Sequence, residues 1–137
     1  MELEEIAKRV VDCGFGIHRD LGPGLLESAY EAIMARSLEK RGFYVERQKM
    51  VQIKYDGLEL DEGFRADLLV DRQLLVELKA VERIAPVHGR QVLTYLQFLE
   101  LPLGLLINFG AATFKEGVQR IVNGHTRFDA SSLRIHQ

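Results

Sequence analysis

Three side chains of this sequence could do chemistry together: Asp67 at the end of Phe64-Arg65-Ala66-Asp67, and Glu77 and Lys79 in Leu74-Leu75-Val76-Glu77-Leu78-Lys79. The two segments read as β-strands of core character, in which charged residues are expensive. A strand has side-chain period two, so Glu77 and Lys79 share a face with Leu75 while Leu74, Val76 and Leu78 line the opposite, apolar face. Two hard carboxylates with a lysine beside them suit Mg²⁺ or Mn²⁺ better than zinc, which prefers nitrogen or sulfur donors. Such an ion neutralises a phosphate and acidifies a bound water, and the lysine then positions that water or stabilises charge building on a phosphodiester.

Whether Asp67 joins the other two depends on the turn between the strands, because a one-residue slip moves every side chain to the other face. A three-residue connection of Asp71, Arg72 and Gln73 pairs Val70 with Leu74 and sets Asp67 opposite Glu77. A two-residue turn sets Asp67 opposite Val76 and disperses the cluster unless a bulge restores it. The sequence leaves both open.

The elements that must hold these residues follow from periodicity. Leu3 to Leu21 reads as a first helix, with Ile6, Val10, Cys13, Ile17 and Leu21 as its inward stripe and with Gly14 and Gly16 weakening it unless close packing needs them. Gly22-Pro23-Gly24 breaks the chain. A second helix is expected from about Leu25 to Arg41, stopped by Gly42, with Leu26, Ala29, Ile33 and Ser37, flanked by Met34 and Leu38, facing inward. Glu27 and Tyr30, three apart near its start, project from one surface. From Phe43 the period changes: Phe43, Val45, Val51, Ile53 and Tyr55 suggest a long strand, Tyr55-Asp56-Gly57 a turn, Leu58 onward its antiparallel partner with a kink or bulge at Gly63, and Leu74 to Lys79 a third strand. After Ile84-Ala85-Pro86 a third helix is expected over about Val87 to Leu99, with Val92, Leu93, Leu96 and Leu99 inward and Gln91 and Tyr95 sharing another face. Leu103 to Phe109 is a buried strand, and Thr113 to about Val122 is expected to be a fourth helix. The tail from Asn123, with His125, Arg127, Asp129 and His136, has no clear period.

Composition bounds the rest. The 137 residues suit one domain over 1–137, with its core over about 6–122, and 47% hydrophobic with 28% charged residues is ordinary for a soluble globular chain. The single cysteine, Cys13, excludes an internal disulfide framework and a cysteine-rich zinc site and reads as a small core residue. No apolar run is long enough to span a bilayer and Met-Glu-Leu-Glu-Glu is unlike a signal peptide, so the expected compartment is the cytoplasm and no membrane partner is expected. The formal charge of −2 gives no global electrostatic case for nucleic acid, although a local basic rim from Arg83, Arg90, Lys115 and Arg120 is compatible with it. His18 and His125 lack metal-ligand spacing.

The order Asp67, Glu77-Leu78-Lys79, then Gln91-Val92-Leu93-Thr94-Tyr95 resembles the PD-(D/E)XK nuclease superfamily, especially members with a Gln-x-x-x-Tyr helix after the catalytic strands. Gly24-Leu25-Leu26-Glu27-Ser28-Ala29-Tyr30 matches the signature of the GxxExxY proteins of that superfamily, and Phe64-Arg65-Ala66-Asp67 and Leu106-Ile107-Asn108-Phe109-Gly110 also look family-like; the resemblance runs from about Ile6 to Val122. It implies a mixed-sheet α/β (α+β) fold with a restriction-endonuclease-like α-β-β-β-α-β core, an additional N-terminal helix and a C-terminal helix. It implies Asp67 and Glu77 as ligands of Mg²⁺ or Mn²⁺, Lys79 as the catalytic lysine, and Glu27 completing the metal site or orienting its water. Gln91 and Tyr95 would bind DNA or steady the catalytic residues, with Tyr30, His88 and Arg90 as further nucleic-acid contacts. Ala66 stands where the superfamily's name has proline, which touches backbone shape rather than ligation.

Each residue also has a plainer reading. Glu77 could pair with Lys79 or Arg65, Glu27 could merely stabilise a helix start, and Gln91 and Tyr95 could fill a helix-sheet seam. Two functional classes therefore follow: a metal-dependent nuclease hydrolysing DNA, or less favourably RNA, and a catalytically silent nuclease-fold module binding nucleic acid or a protein partner. An exposed edge strand could support a homodimer.

Overall fold

The computed structural model describes residues 1–124; the tail histidines and Arg127 and Asp129 lie outside the described residues. In chain order the elements are α1 (Leu3–Leu21), α2 (Glu27–Lys40), β1 (Val45–Tyr55), β2 (Leu58–Val70), β3 (Leu74–Lys79), α3 (Pro86–Leu99), β4 (Leu103–Asn108), α4 (Phe114–Gly117) and β5 (Val118–Val122). The five strands form one sheet in sequence order, antiparallel except for β3 and β4, which run parallel because α3 crosses between them. The fold is thus the expected α+β arrangement on a mixed sheet. None of its helices, among the described residues, is long and apolar enough to cross a membrane.

The sheet has a core on each face. Leu68, Val70, Leu74, Val76 and Leu78 pack with Ile6, Val10, Cys13 and Ile17 of α1 and Tyr30, Met34 and Leu38 of α2. Val51, Ala66, Leu75 and Leu106 pack against Val92 and Leu96 of α3. Gly14 sits where an added Cβ would stand 2.8 Å from the Phe114 ring, which accounts for a glycine inside α1. Two inward stripes differ from expectation. Leu21 is 48% and Leu26 77% exposed, and α2 buries Met34 and Leu38 as expected and adds Tyr30, with Ile33 packed at the margin of the core and Ala29 and Ser37 only half-buried. The Tyr30 ring stacks on Phe109, with centroids 4.5 Å apart and 4° between planes.

The β2–β3 connection has three residues, Asp71, Arg72 and Gln73, and pairs Val70 with Leu74, Leu69 with Leu75 and Leu68 with Val76. Asp71 and Arg72 take left-handed φ of 51° and 56°, and Asp71 is tied to Tyr44 both ways: its N–H donates to the Tyr44 carbonyl at 2.7 Å and its carboxylate accepts the Tyr44 N–H at 2.8 Å. The turn therefore fixes the register that sets Asp67 opposite Glu77.

At Gln48 of β1, which has φ of 50°, and Asp67 across from it, the alternation of side chains changes phase. Val45 and Leu68 belong to the core under α1 and α2, whereas Val51 and Ala66, of the same parity, belong to the core under α3. Farther out the β1–β2 ribbon carries the expected bulge, a register shift between Val51 and Ile53, with Gly63 so close to the Val51 carbonyl that a Cβ would stand 2.7 Å from it.

The expected fourth helix over Thr113–Val122 is a correction. Only Phe114–Gly117 is helical, and Val118–Val122 is β5, pairing Ile107 with Val118 through Leu103 with Val122. Gly117 lies against the Asn108 carbonyl, 2.3 Å from where its Cβ would be, so the chain turns tightly there and satisfies the open edge of β4 with a strand.

Candidate active site

The β2–β3 ladder stops at Leu68–Val76, and beyond it the strands are joined by carboxylates. The Asp67 N–H donates to Glu77 Oε2 at 2.7 Å, and the Leu78 N–H donates to Asp67 Oδ2 at 2.9 Å. A carboxylate substitutes here for a backbone acceptor on each strand, which is how two acids come to sit side by side within sheet core. Glu77 is only 7% exposed. Burial, then the neighbouring charge of Asp67, pushes its pKa up to about 8, against hydrogen bonding by the Asp67 N–H and the nearby charge of Lys79. Burial also raises the Asp67 carboxyl, opposed chiefly by the Leu78 N–H.

Lys79 lies at the end of β3 on the Glu77 face, and its charge acts on Glu27, Asp67 and Glu77 alike. Among the described residues it has no carboxylate within 4 Å, and Glu77 has no ion pair, so the structural pairing of Glu77 with Lys79 or Arg65 is not formed. Glu27 is the first residue of α2 and is raised by burial, with Lys79 lowering it and Asp67, Glu31 and then His88 also acting on it. Glu27, itself exposed, thus lies near enough to Lys79, Asp67, Glu31 and His88 for their charges to act on it. No three His, Cys, Asp or Glu side chains among the described residues converge as a metal-ligating group. The donors that do come together are hard oxygens of two carboxylates. That set fits Mg²⁺ or Mn²⁺, which bind through one or two carboxylates and keep water or phosphate in the remaining positions.

Of the α3 residues, Tyr95 is closest in effect to the acids. Its hydroxyl pKa is raised by burial and then by Glu77 and Asp67, and its ring stacks on Phe64 with centroids 3.7 Å apart and planes 8° apart. Arg90, Gln91, Thr94 and Tyr95 line, with Ile53, Phe64 and Phe98, a groove of about 470 Å³ alongside. Arg90 and Gln91 are exposed there. His88 is committed at one nitrogen: Nδ1 accepts the Ala85 N–H at 3.1 Å at the start of α3. Tyr30 is a correction. It is fully buried, its hydroxyl donating to the Gly22 carbonyl and accepting the Leu25 N–H at 3.1 Å, so it cannot touch a polymer and instead holds the loop that leads to Glu27.

Two further residues belong to the site that the sequence did not single out. Glu31, 7% exposed on α2, accepts Arg47 Nε and Nη2 at Oε2, at 3.2 and 3.1 Å, and accepts Gln48 Nε2 at Oε1. Gln48 Nε2 also donates to Asp67 Oδ1 at 3.1 Å. The one available signal was that Glu31 follows Glu27 by four on the same helix face; Arg47 and Gln48 carried none, because their partners are distant in sequence.

A family model of the PD-(D/E)XK nuclease superfamily matches residues 4–121. No curated protein and no solved structure matches the chain.

Proposed function

Since the chain belongs to the PD-(D/E)XK nuclease superfamily, we propose that it is a metal-dependent nuclease hydrolysing phosphodiester bonds of DNA, acting as a single domain of the GxxExxY type. The observation that carries this reading is the juxtaposition of Asp67 and Glu77 with Lys79 on the Glu77 face. Asp67 and Glu77 would hold Mg²⁺ or Mn²⁺, which when bound would neutralise a phosphate and acidify a water. Lys79, unpaired with any carboxylate among the described residues, donates to the attacking water or to charge accumulating on phosphate. Glu27 orients water from the far side of the site. Tyr95 and Gln91 present a hydroxyl and an amide from α3, with Arg90 at the groove's rim for backbone phosphate.

The test is incubation of the purified protein with linear, nicked and single-stranded DNA in Mg²⁺ or Mn²⁺ beside a folded Lys79→Ala variant. Cleavage by the wild type that the variant lacks supports the reading; equal cleavage by both refutes the assignment of Lys79. One observation favours a second reading, a catalytically silent module that binds nucleic acid or a protein: both acids already serve the sheet as backbone acceptors. DNA binding without cleavage under any of these conditions would select it.

A further inference from the structure

Resting on the nuclease reading, we infer that Gln48, held from behind by Glu31, is a positioning residue that fixes the Asp67 carboxylate for metal binding. A primary amide has two N–H donors on one nitrogen. Those of Gln48 go to Glu31 Oε1 and Asp67 Oδ1. The opposite amide orientation would set its carbonyl oxygen against two carboxylates, so the chemistry of the neighbours selects the orientation with the nitrogen between them. Glu31 is itself held, with both Arg47 donors on its other oxygen.

The consequence for Asp67 is that each of its oxygens has a partner, one of them the exposed side chain of Gln48. Oδ2 is held by the Leu78 N–H and Oδ1 by Gln48. A carboxylate offers about four lone-pair positions, and with one on each oxygen used, the remaining pair has a fixed direction. Asp67 is thus oriented before an ion arrives, and the ordering is not charged against binding.

The backbone of Gln48 points the same way. A φ of 50° is unfavourable for a residue with a Cβ, and glycine would adopt it freely. At this position the chain carries a side chain that can span two carboxylates, on the residue where the strand's alternation reverses. Strain retained where glycine would relieve it is expected when the side chain serves the site.

Gln48→Gly separates positioning from folding, because it removes the amide while relaxing the backbone. Thermal unfolding in EDTA should leave its Tm near that of the wild type, because Arg47 still pairs with Glu31 and the left-handed backbone is relieved, while calorimetric titration with Mn²⁺ alone shows affinity roughly 10-fold weaker, within the range expected for lost outer partners of ligands. Glu31→Gln leaves one acceptor oxygen for Arg47 and Gln48 to share and should retain more Mn²⁺ affinity than Glu31→Ala, which leaves none. Wild-type protein that binds Mn²⁺ and cleaves DNA, with Gln48→Gly matching it in both, overturns the inference alone. Wild-type protein that neither binds Mn²⁺ nor cleaves overturns the nuclease reading and this inference with it. A Gln48→Gly variant that loses affinity only by unfolding, seen as a lower Tm, assigns Gln48 to the fold and also overturns it.

Discussion

Asp67 and Glu77 bind each other's strands: the Asp67 N–H donates to Glu77 Oε2 at 2.7 Å, and the Asp67 carboxylate accepts the next N–H of β3, that of Leu78, at 2.9 Å. The pair is therefore part of the sheet's hydrogen bonding and also the centre of the proposed chemistry, and the two roles make separable predictions.

The first concerns pH. Glu77 has a folded pKa of about 8 against an ordinary value of 4.5, so between these values the native chain binds more protons than the unfolded one. Its contribution is fully present below the lower value and is lost as pH rises through the higher. Metal-free protein should accordingly lose stability from about pH 5 to about pH 8, by at most about 4–5 kcal/mol at the rate of about 1.4 kcal/mol per unit. Melting in EDTA across this range should show the decline in wild type and a flatter profile in Glu77→Gln. Identical profiles would remove Glu77 as its source.

Removing the lysine should spare the fold. Lys79 is half-buried at the end of β3 and has no ion pair within 4 Å among the described residues, so Lys79→Ala is expected to change stability by about 1 kcal/mol or less, while cleavage falls by roughly 100-fold or more. Lys79→Arg should not restore the rate, since a planar guanidinium does not replace a compact ammonium. A large Tm loss in Lys79→Ala would show a structural role instead.

Tyr95 offers a contrast between ring and hydroxyl. Tyr95→Phe keeps the stack on Phe64 and should melt within about 0.5 kcal/mol of wild type, whereas Tyr95→Ala should cost about 1–3 kcal/mol. Reduced cleavage in the phenylalanine variant, at unchanged Tm, assigns the hydroxyl to the reaction; full activity there confines Tyr95 to packing.

Tyr30 should behave oppositely. Its hydroxyl satisfies Gly22 and Leu25 backbone groups, so Tyr30→Phe is expected to cost about 1–3 kcal/mol by leaving them unpaired. Nucleic-acid affinity measured well below the melting temperature should stay near wild type. A selective loss of affinity without a loss of stability would contradict its buried placement.

What could be read beforehand follows the range of the interactions. The Asp67–Glu77 pairing was one of two registers the sequence allowed, and turn length with strand alternation are local properties; the structure takes the three-residue turn. The burial of Tyr30 escapes the pattern of α2 because this residue, polar at one end, packs inward on Phe109, far along the chain. Glu31 and Gln48 are hidden for the same reason: a buried acid needs a partner, here chiefly Arg47, and the contacts of Arg47 and Gln48 with it exist only once β1 lies against α2. The residues after Gly117 became a strand because β4 needed an edge partner, a demand no local propensity expresses.

The carboxylates that end the β2–β3 ladder also constrain how this site could decay. On the proposed nuclease reading, a descendant that abandoned cleavage would still need acceptors for the N–H groups of Asp67 and Leu78, so its hairpin would hold those acids or their amides in place long after the chemistry had gone. Lys79 has no such second employment among the described residues. Across related chains, the fate of the lysine, more than that of the two acids, should therefore record whether turnover is still being selected.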